Sequence, residues 1–305
     1  MRTSRQTRST AAGLLAIALW SASFALSRSL AEKLGVVATA AAVCLAAGAV
    51  GAIFALATGW HRAALAGLSR RRIAALGGLF VAYQAAMYGA IGWARDRESF
   101  LVVTVINYLW PGLTILFAVP LLGRRFRPAL VPGILTALAG VSLAALSTGG
   151  ISAASLRAGL AGNALPYGRA LAAAVAWALY SNLVARWAAD AGSGLVPFHF
   201  LVAGIALCPF AAAAPSAAAW SASAVGELAF LAIAVMLVGY VAWDFSMRTR
   251  ESELVPALAY LIPLPSIAVS AAYLDIPIGW PLAAGAALVI AGSGLCAFGG
   301  RRGAR

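Results

Sequence analysis

The chain has 305 residues, of which 63% are hydrophobic and 10% charged, with a formal net charge of +13. Soluble domains run near 45–50% apolar and about 25% charged, so this composition excludes a water-soluble globule and leaves an integral membrane protein. The arginines fall between apolar runs rather than along one face, as topology signals do, and no long polar segment offers a nucleic-acid surface.

Long apolar runs that do not alternate in polarity predict helices, because backbone amides in hydrocarbon must pair within their own segment or close a barrel. Polar breaks divide the chain into ten segments, near residues 10–31, 36–58, 73–93, 99–122, 129–147, 167–188, 195–214, 225–246, 253–274 and 278–299. The expected fold is all-α, with ten transmembrane helices. The first segment follows Arg2, Arg5 and Arg8, as a cleavable signal would. Its apolar run is long for a signal and has a counterpart later in the chain, so it is retained as a helix. It carries Trp20 and Ser23.

The third segment carries Tyr83, Gln84 and Tyr88, and the fourth Asn107, Tyr108 and Trp110, followed by Pro111. The sixth carries Trp177, Tyr180 and Ser181, the seventh His199, and the ninth Tyr260 and Pro263. Glu227 and Asp244 fall toward opposite ends of the eighth. Trp60, Trp220, Trp243 and Trp280 lie near segment ends, where indole rings anchor at the membrane interface. Cys44, Cys208 and Cys296 each sit inside an apolar run, which suits packing better than a disulfide or zinc site.

If the N-terminus is cytoplasmic, the two tails and the loops that follow even-numbered helices place 16 of the 22 Lys and Arg on that side. They include Arg62, Arg70, Arg71, Arg72, Arg124, Arg125, Arg127, Arg186, Arg248 and Arg250. The positive-inside bias therefore puts both termini in the cytoplasm.

An internal duplication runs through the same segments. "RDRES" at Arg95 returns as "RTRES" at Arg248, and "YLWP" at Tyr108 returns as "YLIP" at Tyr260, at offsets of 153 and 152 residues. Trp20 and Trp177 are separated by 157, as are Gly35 and Gly192. Gly133 and Gly140 in the fifth segment match Gly285 and Gly292 in the tenth, each pair seven apart on one helix face, where a missing side chain admits a close neighbour. Five helices is an odd number, so a copy of five would be inserted in the opposite sense. This is the five-plus-five inverted repeat of many secondary transporters. The organisation expected is a 1–9 cytoplasmic tail, a first repeat over 10–147, a periplasmic linker over 148–166, a second repeat over 167–299 and a 300–305 cytoplasmic tail.

The duplicated ten-segment pattern, the "LWSASFALSRSL" of the first helix and the Gly-x6-Gly of the last helix of each half resemble the drug/metabolite transporter superfamily. The likeness is to its EamA-type exporters, and within those to the aromatic amino-acid exporter branch. It implies a bacterial inner-membrane exporter working by alternating access, without cofactor, as a monomer or weak dimer.

Polar and aromatic residues at mid-span depth are the candidates to contact a solute: Trp20, Ser23, Tyr83, Gln84, Tyr88, Asn107, Tyr108, Trp110, Trp177, Tyr180 and Tyr260. The same polar groups serve equally as interhelical hydrogen-bonding glue. Pro111 and Pro263 interrupt their helices and stand either as gate bends or as static kinks. No carboxylate or lysine is expected at the membrane centre, which disfavours phosphorylated substrates and an antiporter built on a central acid. A zwitterionic amino acid brings its own compensating charges and suits an aromatic, uncharged interior. Asp244 and His199 are the candidate coupling groups if a proton is involved, as in a proton-linked efflux antiporter. A membrane-embedded transferase is the enzyme alternative, but no Gly-Lys-Ser/Thr phosphate loop, metal-ligand pair or Ser/His/acid cluster supports catalysis.

Overall fold

The computed structural model describes residues 2–21, 23–94, 97–146, 164–189, 191–213, 219–248, 254–262, 265 and 280–298. Arg95, Glu253, Pro263, Asp275, the 300–305 tail and all but the last residues of the 148–166 linker lie outside the described residues. Among the described residues every regular element is helical.

Helix α1 (Arg2–Ser21) begins at Arg2 rather than near residue 10, so the arginine-bearing start is helical too. It is followed by α2 (Ser23–Leu34) and α3 (Val36–Thr58). Gly35 makes the turn between them at φ 84°, a left-handed conformation that favours glycine. The short helix α4 (Trp60–Gly67) had no counterpart among the expected segments. Next come α5 (Arg70–Trp93), α6 (Arg97–Asn107) and α7 (Trp110–Leu122).

The break between α6 and α7 has a local cause. Proline lacks an N–H and its ring crowds the carbonyl four residues earlier; for Pro111 that residue is Asn107, the last of α6. The first half closes with α8 (Leu130–Leu146).

The second half holds α9 (Leu165–Trp187), α10 (Val196–Ala213), α11 (Ala222–Phe230) and α12 (Gly239–Met247). Between α11 and α12 the helix widens into π turns over Leu231–Val238. Helix α13 (Leu254–Leu258) tightens into a 3-10 turn over Ala259–Leu261, and α14 (Trp280–Phe298) is the last described element.

Among the described residues, five helical stretches are long and apolar enough to cross a membrane: Val36–Thr58, Arg70–Trp93, Val102–Leu122, Val196–Ala213 and Ala222–Met247. Their outward faces carry large apolar side chains such as Ile53, Phe54, Ile205 and Phe210, all more than half exposed. Such a belt is unfavourable in water and suited to lipid.

The helices pair across the two halves. Helix α8 lies along α14 and α3 along α10, with α5 on α9, α1 on α12 and α7 on α13. Glycines set the closest approaches. A Cβ placed on Gly292 would lie 2.6 Å from the Gly133 carbonyl oxygen, and one on Gly140 would lie 2.6 Å from that of Gly285. A Cβ on Gly48 would meet the Leu201 Cα at 2.6 Å, and one on Gly204 the Leu45 nitrogen at 2.8 Å. Backbone-to-backbone contact of this kind is how membrane helices gain dispersion energy where lipid removes the hydrophobic drive.

Candidate functional site

The pairing of α1 with α12 and α5 with α9 turns aromatic side chains from both halves toward one another. Trp20 of α1 contacts Trp110 at 6.2 Å between ring centroids, Trp177 at 5.9 Å, Tyr240 at 5.1 Å and Trp243 at 5.3 Å. Trp177 stacks on Tyr180 at 5.3 Å and meets Tyr83 at 4.9 Å. Trp110 stands edge-on to Trp243 at 5.1 Å. Phe80, Phe200 and Tyr240 extend the cluster, with Phe80 to Phe200 at 4.8 Å and Phe200 to Tyr240 at 5.0 Å. Most of these pairs are edge-to-face, the arrangement that ring quadrupoles favour by about 0.5–1.5 kcal/mol per pair.

Five expected site residues, Trp20, Tyr83, Trp110, Trp177 and Tyr180, therefore meet in one cluster. The others take varied places. The Ser23 hydroxyl donates back to the Trp20 carbonyl at 2.6 Å and so holds the end of α1. Gln84 is buried on α5 and Tyr88 half-buried on the same helix. Asn107 and Tyr108 stand at the α6–α7 break, and Pro111 is buried in the first turn of α7. Tyr260 sets its hydroxyl against Gly112 of α7. Pro263 lies outside the described residues.

Several buried polar atoms around the cluster have no hydrogen-bond partner: Trp20 Nε1, Gln84 Nε2, Asn107 Oδ1 and both ring nitrogens of His199. The His199 ring packs on Phe80 at 5.5 Å and lies 6.3 Å from Tyr180. An unpaired buried polar group costs about 1–3 kcal/mol, so these atoms are poised to accept water or a polar solute.

Two expectations are corrected. Trp243, assigned to the membrane interface, is fully buried, and its Nε1 donates to Ser181 Oγ at 3.0 Å. Asp244 and Arg248, assigned to a segment end and a surface loop, are 2% and 8% exposed and lie inside the protein. The physical reason is shared. The end of α12 is covered by α9 and by the 188–193 loop, so residues that look terminal along the chain are enclosed in space.

That enclosed end carries a charged clamp. Arg248 Nη2 lies 2.6 Å from Asp244 Oδ2, and Arg248 Nε donates to the same oxygen at 2.8 Å. Arg248 also donates to the carbonyls of Ala188 and Ala191 and to Ser193 Oγ. Tyr180 OH donates to Asp244 Oδ1 at 3.0 Å, joining the clamp to the aromatic cluster. At the opposite end, Lys33 pairs with Glu227 at 2.7 Å, and Ser29 donates to the same carboxylate oxygen.

Tyr240, Phe80, Phe200 and Arg248 were not singled out as site residues from sequence. Tyr240 had a usable signal, since it stands 157 residues after Tyr83, near the offset that relates Trp20 to Trp177. Its hydroxyl donates to that of Tyr83 at 3.4 Å. Among the described residues no three His, Cys, Asp or Glu side chains converge as metal ligands would.

Comparison with known proteins follows the same lines. The profile of the EamA-like transporter family matches residues 8–146 and 166–298. The aromatic amino acid exporter YddG of Salmonella typhimurium is 30% identical over 97% of this chain and 98% of its own. The protein of that name from Escherichia coli is 28% identical over 97% of this chain and 99% of its own. The one from Ancylobacter novellus is 32% identical over 95% and 97%. A crystal structure 26% identical in sequence superposes with a TM-score of 0.79, covering 97% of this chain and 98% of the other.

Proposed function

The chain belongs to the EamA-like transporter family, and on that footing we propose that it exports neutral and aromatic amino acids across the bacterial inner membrane by alternating access. The observation that carries the substrate class is the aromatic cluster: four tryptophans and three tyrosines from helices of both halves, beside unpartnered amide and indole groups. Ring faces receive an aromatic side chain, and the unpaired Gln84 and Asn107 atoms supply a donor and an acceptor for a zwitterion. Trp20, Ser23, Tyr83, Gln84, Tyr88, Asn107, Tyr108, Trp110, Trp177, Tyr180 and Tyr260 are the proposed contacts. The exporters named above, all assigned to aromatic amino acids, support this reading.

Ten spans in an inverted repeat are part of the proposal. A twofold axis in the membrane plane that carries each segment to the one five later maps the pairs α3–α10, α7–α13 and α8–α14 onto themselves. It exchanges α1–α12 with α9–α5. All five pairings occur, which supports the repeat, and the two stretches matched by the family profile lie over its two halves. The arginine-rich end of the bundle is then the cytoplasmic one, with both termini on that side. Bends at Pro111 and Pro263 would let each half gate one face.

Coupling to protons is the competing mechanism, through Asp244 and His199. The Arg248 guanidinium already neutralises the Asp244 carboxylate, which favours facilitated export down a gradient. The test is purified protein in liposomes loaded with unlabelled phenylalanine. Saturable counterflow of labelled phenylalanine is expected, and its absence with every amino acid overturns the substrate class.

A further inference from the structure

The short helix α4 stands between the end of one span and the start of the next. Helix α3 ends at Thr58, Gly59 turns the chain at φ 72°, and α4 runs from Trp60 to Gly67. Helix α5 then begins at Arg70. Both neighbours are long and apolar enough to cross the membrane, so the corner between them lies at the depth of the lipid headgroups.

Helix α4 has two unlike sides. The inner one is seated on the loop between α9 and α10. Ala64 is fully buried, and a Cβ on Gly194 would lie 2.7 Å from the Trp60 carbonyl oxygen. The outer side carries Arg62 and Leu65, three residues apart and both exposed. Phe54, one turn before the end of α3, is 58% exposed and meets Trp60 edge-on at 6.1 Å. Arg70 and Arg71, also exposed, open α5.

Among the described residues, the guanidinium groups of Arg62, Arg70 and Arg71 have no ion pair or hydrogen-bond acceptor. Arg72 differs, lying over the Trp187 ring at 5.8 Å. The first turn of α5 holds no acidic residue, although the helix dipole there is positive and disfavours cations. Three uncompensated cations thus stand at headgroup depth beside an apolar edge continuous with the lipid belt. A soluble anion would answer only the charge. A phospholipid answers both, with phosphate for guanidinium and hydrocarbon for Phe54 and Leu65.

We infer that the α4–α5 corner is a docking surface for an anionic phospholipid, its phosphate on Arg62, Arg70 and Arg71 and its hydrocarbon along Phe54 and Leu65. The seat of α4 gives this surface a route inward. Ala191 and Ser193 of the supporting loop accept from Arg248, which holds Asp244, and Asp244 accepts from Tyr180 of the ring cluster. A docked lipid therefore steadies α4 and the loop that closes over the clamp.

The experiment uses the full chain in detergent micelles and follows its melting temperature as phosphatidylglycerol, phosphatidylcholine or glycerol phosphate is added. Phosphatidylglycerol should raise the melting temperature of the wild type, and the other two should not. In Arg62→Gln/Arg70→Gln/Arg71→Gln the half-effective fraction of phosphatidylglycerol should rise about a hundredfold, at about fivefold for each arginine. Without anionic lipid this variant should melt no lower than wild type, because cations at the positive end of a dipole have been removed. That comparison separates lost docking from a damaged fold. Arg62→Gln alone, outside the α5 turn, should shift the half-effective fraction about fivefold, and it decides the matter if the triple variant does not fold. Arg301→Gln/Arg302→Gln/Arg305→Gln removes the same charge from the C-terminal tail and should keep the lipid effect. Equal stabilisation by phosphatidylcholine or glycerol phosphate overturns the inference, as does an unchanged response in the α4–α5 variants or an equal loss in the tail variant. A wild-type dimer that the triple variant dissociates assigns the face to a second copy and overturns it as well. None of these readings involves transport, so a failure of the substrate class leaves the inference standing.

Discussion

Arg248 holds the carboxylate of Asp244 one helical turn before it, and both groups are buried where α12 ends against α9 and the 188–193 loop. Arg248 also donates to the carbonyls of Ala188 and Ala191 and to Ser193, so the pair is fastened on several sides. It also ties a charged group to the aromatic cluster through Tyr180.

Removing one member leaves an uncompensated charge inside the protein, which costs about 3–5 kcal/mol. Arg248→Met should therefore lower the melting temperature in detergent sharply, and Asp244→Asn less so, because a neutral amide keeps hydrogen-bonding capacity. The double variant Asp244→Leu/Arg248→Met should recover much of the loss. Additive losses measured by thermal unfolding would show that the pair does not act as a unit.

Because the Asp244 carboxylate is occupied by Arg248, export should not depend on a proton gradient. Phenylalanine counterflow is expected to be the same with and without a pH step across the liposome. Flux that follows the step, and loses that dependence in His199→Gln or Asp244→Asn, would establish coupling instead.

Trp20 touches four other rings of the cluster. Trp20→Ala, Tyr83→Ala, Asn107→Ala and Tyr108→Ala should each lower transport about tenfold or more, the scale of one lost binding contact of 1.4 kcal/mol, while folded protein is still recovered on size exclusion. Trp243→Phe keeps an aromatic ring but loses the donor to Ser181 and part of the buried indole volume, a change of about 1–3 kcal/mol in stability. Full activity in all four alanine variants would move the site elsewhere.

Gly292 sits against the Gly133 backbone, whereas Gly294, on the same helix, has open space around it. Gly292→Val should abolish or greatly reduce recovery of folded protein, and Gly294→Ala should be neutral. Overpacking of a tight contact costs about 1–3 kcal/mol or more. Equal yields of the two variants would contradict the close approach of α8 and α14.

Pro111→Ala restores an N–H that can reach the Asn107 carbonyl and join α6 to α7. The variant should unfold at a temperature no lower than wild type and exchange substrate more slowly. Unchanged exchange would make the bend a static kink.

The elements that were legible in sequence are those with a one-dimensional signature. Apolar length located α3, α5, α9 and α10 to within a few residues, and the Gly-x6-Gly spacing marked the faces on which α8 and α14 meet. Ring residues at mid-span were legible too, because Trp20 and Trp177 have few apolar reasons to recur at a fixed offset. Trp243, Asp244 and Arg248 were misplaced because position along a segment stands in for depth only when nothing covers the segment's end. Here a neighbouring loop does, and coverage is a property of the packed assembly. The α4 helix escaped notice because its eight residues lie between two long apolar runs and lack a span of their own. The π turns over Leu231–Val238 have no compositional mark at all.

The glycine seam between α8 and α14 has a mechanical corollary. Two rods whose main chains touch at Gly133, Gly140, Gly285 and Gly292 cannot slide along each other without bringing a side chain against the partner's backbone, and lose that close contact if they part. If the two faces open in turn, as proposed above, that line is the natural axle and the α1–α12 and α5–α9 pairs are the parts that swing around it. A crosslink across the axle should then leave turnover intact where one across either swinging pair arrests it.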